Sequence, residues 1–251
     1  MVVAGRQRTG GRADFRIRER ECGEVAEFYP ATLSPPARNT VNGVVSDVSE
    51  GRSGGGFNPP EPTTRGGPDY GRFVEAVRDL QDLARAADAP DEVITEAAGL
   101  IEKVTGLLEP YRADEWSSPS GRRLDLPNRG NILQVPMFLA KTDDGRIAGE
   151  ATFRRFYLGR NGAAHGGAVA LLFDSVLGYT TYKLTQSRFQ RTAYLQVNYR
   201  SITPVEKPLR VEAGIDRIEG RKIFVEGRLL DGDTVLAEAE ALFVRLKPGQ
   251  P

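Results

Sequence analysis

The chain has one cysteine, one histidine and no surplus of charge of either sign, and each shortage closes off a class of function. Cys22 alone cannot form an intrachain disulfide or a multi-cysteine metal site. With His165 as the only histidine, a protein-built zinc centre would need mostly carboxylate ligands, an uncommon set. Lys plus Arg and Asp plus Glu number 34 each, so no net field draws the chain to nucleic acid or anionic lipid. No run approaches the roughly 18 apolar residues of a membrane span, so none is expected. The first 30 residues hold Arg6, Arg8, Arg12, Arg16, Arg18 and Arg20 without an apolar segment of signal-peptide type, and Asp14, Glu19, Glu21 and Glu24 speak against an acid-poor transit peptide. The cytoplasm is the expected location. No cofactor is implied.

What is present suits one or two soluble domains. Among 251 residues, 39% are apolar and 27% charged, enough for a real core. Residues 1–68 stand apart: 18 of the 68 positions are Gly or Pro, so this stretch reads as a disordered tail, either a dispensable leader or a regulatory or targeting segment. Residues 69–111 read as a helical pair. Phe73, Val77, Leu80 and Leu83 recur at helical steps, and Pro90-Asp91 opens a second run with Val93, Ile94, Ala97, Ile101, Val104 and Leu108. Two antiparallel helices packing on the downstream domain are expected, as a cap or as a protein-binding hairpin. Residues 112–131 are polar and turn-rich, a linker or extended approach.

Residues 132–247 read as the main domain. Apolar runs at 132–140 and 147–158 flank Asp143-Asp144-Gly145, a strong hairpin signal. Residues 166–184 have helical spacing, with Val169, Leu172, Phe173, Val176, Leu177 and Thr180 on one broad face. Strand-like runs come next at 192–202, 209–218, 222–230 and 235–246, with turns at Glu219-Gly220 and Asp231-Gly232 and a bulge expected near Ala241-Leu242. A single apolar helix against one antiparallel sheet buries its stripe only if the sheet curls around it, so the expected class is α+β.

The chemistry concentrates at Ala164-His165-Gly166-Gly167 and at Asp174. Two glycines at a loop-to-helix junction let a ligand approach the backbone, and first-turn amides lack intrahelical acceptors. With the helix dipole behind them, such amides suit a carbonyl oxygen becoming an oxyanion. Asp174 falls in a stretch built for burial, where it is either bonded to a neighbouring strand or used as a working carboxylate. Gly166 to Asp174 spans eight residues, a rise of roughly 12 Å, so both can serve one carbonyl carbon only if Asp174 comes from a second copy. Catalysis thus predicts oligomerisation. His165 is read as a structural residue orienting the loop or as a donor to the carbonyl oxygen, rather than as nucleophile or base.

His165-Gly166-Gly167 with an acid nine positions after the His resembles the PaaI-like branch of the hotdog-fold acyl-CoA thioesterases. The segments 192–199, 218–225 and 238–244 are similar to strands of the group that includes carboxyl-terminal modulator protein and related thioesterases. The resemblance covers roughly residues 130–247. It implies a hotdog fold, a curled antiparallel sheet wrapped around one long helix, and hydrolysis of acyl-CoA by a homodimer or dimer of dimers in fatty acid metabolism. It also implies Asp174 as general base or nucleophile, Thr192 as the hydroxyl that positions water, and Gly167 as the oxyanion contact beside Gly166 and His165. Some relatives carry an Asn six residues before the His; that position here is Gly159, and the role is not transferred to Asn161. Coenzyme A phosphates make Arg200, Arg221 and Lys222 candidate contacts, against ordinary solvated charge. Phe173, Leu177 and Tyr194 are candidate walls for an acyl chain, or simply core. Two alternatives to hydrolysis stand: an acyl-thioester dehydratase or hydratase, and a non-catalytic acyl-CoA-binding or regulatory protein.

Overall fold

A computed structural model describes residues 61–114 and 117–250. The tail expected over residues 1–68 therefore lies outside the described residues up to position 60. Two helices come first, α1 (Tyr70–Ala86) and α2 (Asp91–Leu108). The strands are β1 (Met137–Lys141), β2 (Ile147–Thr152), β3 (Gln190–Tyr199), β4 (Pro208–Glu219), β5 (Lys222–Asp231) and β6 (Thr234–Arg245), with α3 (Gly166–Thr185) between β2 and β3.

The strands form one antiparallel sheet in the order β1-β2-β4-β5-β6-β3. The α3 stripe Ala168, Val169, Leu172, Phe173, Val176, Leu177 and Thr180 is buried and packs on β3 through β6, with Ile223, Val225, Leu229 and Phe243 in the same core. At roughly 25 cal/mol per Å² of apolar surface, this one stripe and its floor are the main source of the domain's stability. Gly149 of β2 sits hard against β1. A Cβ there would lie 1.9 Å from the Phe138 carbonyl oxygen on β1, so only glycine fits.

Several expectations are corrected. The bulge residue is Ala193 on β3, opposite Leu242 and Phe243, rather than a residue of β6. In β6 the extra residue is Leu236, whose carbonyl instead accepts from the Arg200 and Ser201 amides. β1 begins only at Met137, after Pro136, which has no N–H to give a ladder. Beyond β2 the chain turns through a short 3-10 turn, Arg155–Tyr157. The two N-terminal helices do not pack along each other: α1 rests on the 155–157 turn, and α2 buries no residue.

The expected linker is a packed platform. Arg123, only 6% exposed, donates to Asp125 and to the Arg65 and Gly67 carbonyl oxygens at 3.0 Å each, and lies 5.4 Å from the Tyr70 ring centroid. Residues 61–68 are therefore held against it, and the boundary expected at 68 falls too late. Arg123 and its hydrogen bonds hold the Asp125 carboxyl below the usual carboxylate range.

Candidate active site

The site begins where the 155–157 turn meets α3. His165 N–H donates to the Tyr157 carbonyl oxygen at 2.7 Å, and Gly159 N–H to the Ala163 carbonyl oxygen at 2.8 Å. A Cβ on Gly159 would sit 3.1 Å from the His165 Cα, so this glycine lets the loop close tightly on the junction. His165 then caps α3. Its carbonyl accepts from Ala168 and Val169, and its Nδ1 accepts from Gly167 N–H at 3.0 Å. An Nδ1 that accepts fixes the ring proton on Nε2, which makes His165 a donor toward solvent.

This capping corrects the expectation of open amides at both glycines. Gly167 N–H is engaged by His165, whereas no described residue accepts from Gly166 N–H. Gly166 is held by Tyr199 of β3, whose hydroxyl donates to the Gly166 carbonyl oxygen at 2.8 Å. Sequence reasoning missed Tyr199. In the sequence it is one more apolar position of an alternating strand, and nothing local marks a tyrosine that meets a helix start 33 residues away.

Asp174 is not buried. It lies on the exposed flank of α3 nearest β3, and its Oδ1 accepts from the Thr192 hydroxyl at 3.0 Å. The carboxylate thus needs no compensation for burial. Among the described strands β3 is outermost, with β6 as its neighbour, so this Asp–Thr pair sits on the last strand of the described sheet.

The remaining candidates divide. Arg200, just past the end of β3, pairs with Glu238 at 2.9 Å. Arg221 lies in the β4–β5 turn and donates to the Arg245 carbonyl oxygen at 2.9 Å, with Lys222 beside it. Strand register puts Lys222 level with Val244 and Arg191, whereas Tyr199 is level with Ala237. Within one chain, Arg200 and the Arg221-Lys222 pair therefore stand at opposite ends of the sheet, roughly 30 Å apart at 3.3 Å per residue. Phe173 and Leu177 are fully buried in the core, while Tyr194 is half-exposed on β3.

With this geometry in hand, comparisons with known proteins place it. Residues 161–238 match the model of the thioesterase superfamily. The acyl-coenzyme A thioesterase THEM4 of Mus musculus is 35% identical over 92 residues, 36% of this chain and 39% of that protein. The acyl-coenzyme A thioesterase THEM5 of Homo sapiens is 26% identical over 91 residues, 36% of each chain. The matched region thus spans about two fifths of the length of these curated relatives. A crystal structure of a thioesterase superfamily protein, 26% identical, superposes with a TM-score of 0.61, covering 74% of this chain and 97% of its own. Taken with the sheet curled around α3, these likenesses identify the domain built from β1 to β6 as a hotdog domain of the thioesterase superfamily.

Proposed function

We propose that this domain hydrolyses acyl-CoA thioesters to free acid and CoA, in a homodimer whose sites are shared between subunits. The observation that carries the reading is the Thr192–Asp174 hydrogen bond, exposed on the outermost strand of the described sheet. Along β3, Thr192 lies by Asp174 and Tyr199 lies by Gly166. A two-fold dimer that pairs β3 with its own copy must pair it antiparallel, because an isologous contact exchanges residue i with residue j. Centred near Leu195-Gln196, that pairing sets Thr192 of one protomer across from Tyr199 of the partner subunit. The carboxylate of one chain then faces the helix start of the other, spanning the roughly 12 Å that separates them within a chain. The same operation brings Arg200 of one chain to the end that carries Arg221 and Lys222 of the partner subunit, a basic cluster suited to CoA phosphates.

In this site Thr192 orients Asp174 and a water. The Asp174 carboxylate takes a proton as the water oxygen attacks the thioester carbonyl carbon. The carbonyl oxygen gains charge against Gly166 N–H and the His165 Nε2–H, with Gly167 N–H holding the His165 ring in place. Collapse breaks the C–S bond, and the CoA thiolate recovers the proton from Asp174.

Release of free thiol from a panel of acyl-CoAs tests the reading. Turnover by the wild type, reduced by two or more orders of magnitude in Asp174→Asn with an unchanged melting temperature, is the expected result. CoA-ester binding without turnover on any acyl chain would instead favour a non-catalytic binding protein.

A further inference from the structure

We infer that α1 is a positioning element for the helix-start donors, acting through Asp82 and Arg85; the inference rests on the site proposed above. While Tyr70 and Arg78 of α1 meet Arg123 and Asn131, the C-terminal half of the helix grips the segment that leads into His165. Asp82 Oδ1 accepts from Phe156 N–H at 2.7 Å, and its Oδ2 accepts from Arg154 Nε at 2.6 Å. Arg154 also binds Glu75 at 2.6 Å and Asp79, so three acids at one helix face grip a single guanidinium that is only 21% exposed. One turn further along, Arg85 donates to the Leu158 carbonyl oxygen and, at 3.5 Å, to that of Gly159.

These grips act on the residues that hold the junction. Phe156 adjoins Tyr157, whose carbonyl accepts the His165 amide; Leu158 bridges to Ala164, and Gly159 bonds to Ala163. From Asp82 to the α3 cap is therefore a short relay: a hydrogen bond into Phe156, one peptide, a hydrogen bond into His165, then the His165 ring on Gly167 N–H. A helix about 80 residues upstream fixes the height and tilt of the donors without touching them. A ring cap with this hydrogen-bond geometry is sensitive to small displacement, since such bonds weaken steeply off-axis.

His165 is the only histidine, so its ring nitrogens give a single set of NMR signals that reads the cap without reference to activity. In the wild type the Nδ1 and Nε2 shifts should report one tautomer, protonated at Nε2. Asp82→Ala should move those shifts toward the averaged values of a free imidazole, and should lower kcat about tenfold with KM within about twofold. Asp82→Asn keeps an acceptor for Phe156 N–H, so it should restore most of both readouts, and it serves where the alanine variant fails to fold. Asp79→Asn, which loosens Arg154 but touches no backbone of the segment, should leave the His165 signals in place. Unmoved His165 signals in folded Asp82→Ala, or an equal shift in Asp79→Asn, would overturn the inference. Because the ring signals exist whether or not the protein turns over substrate, failure of this coupling is distinguishable from failure of the hydrolase reading.

Discussion

Mixing two inactive variants offers the sharpest test of a site divided between chains. Asp174→Asn removes the carboxylate. Gly167→Val places a side chain whose Cβ would meet His165 Nδ1 at 3.1 Å, so the capping ring must give way and the helix start is obstructed; a melting temperature near wild type checks that the variant folds. Each homodimer then lacks one component at both sites, and losing an oxyanion donor alone typically lowers kcat by about 10²–10³. Co-refolding equal amounts gives half heterodimers by random assortment. In a shared-site dimer each heterodimer holds one doubly defective and one intact site, so activity returns to about a quarter of wild type. That lies at least roughly 25-fold above either parent. Joining both substitutions in one chain and mixing it with wild type reverses the pattern: about a quarter of full activity remains if sites are shared, and about half if each chain is self-sufficient. Thiol release at fixed total protein reads both mixtures. Absence of rescue in the first, with half activity in the second, would refute the antiparallel β3 argument.

Three further outcomes are expected. Gly149→Ala should cost about 3 kcal/mol, because the new Cβ overlaps the Phe138 carbonyl oxygen and β1 must shift; by calorimetry the melting temperature should fall by about 6–12 °C, whereas Gly99→Ala, with open space around it, should not lower it. A chain starting at residue 69 should melt below one starting at residue 61, by about 1–3 kcal/mol, because Arg123 loses its two carbonyl acceptors at Arg65 and Gly67; equal melting would show those bonds to be idle. The Asp125 carboxyl is depressed in the folded protein, so its contribution is present above about pH 4 and lost as pH falls through the lower folded value. Being more than half exposed, it is worth no more than about 1 kcal/mol, and the stability gap between wild type and Asp125→Asn should close in urea titrations as pH falls below the ordinary carboxylate range.

The parts of the fold legible in the sequence are those set by local chemistry. β4, β5 and β6 begin and end within a residue or so of expectation because Gly220 and Gly232, at φ of 58° and 57°, force the turns between them. α3 is legible from its stripe, since all six residues its spacing selects are buried, with Ala168 and Thr181 added to them. The misreadings fall where a distant segment decides. Residues 153–158 are apolar enough for a strand, yet Asp82 and Arg85 of α1 hold them in a turn. The period of α2 marks a helix correctly but says nothing of what covers it, and among the described residues nothing buries it. At the site, the residue types point to a helix-start donor and a carboxylate, and the family likeness supplies Thr192. The spacing could not foretell that the His165 ring claims Gly167 N–H, because a rotamer is chosen by neighbours and not by sequence separation.

The order of strands has a consequence for how the molecule is made. Among the described strands β3 leaves α3 and finds its neighbour in β6, the last of the six to be synthesised, so a long loop must close before Thr192 has a fixed place. A nascent chain that has already wrapped β1, β2 and β4 around α3 still holds β3 loose, and Asp174 waits without its hydroxyl. Assembly of the carboxylate's surroundings is thereby tied to completion of the sheet.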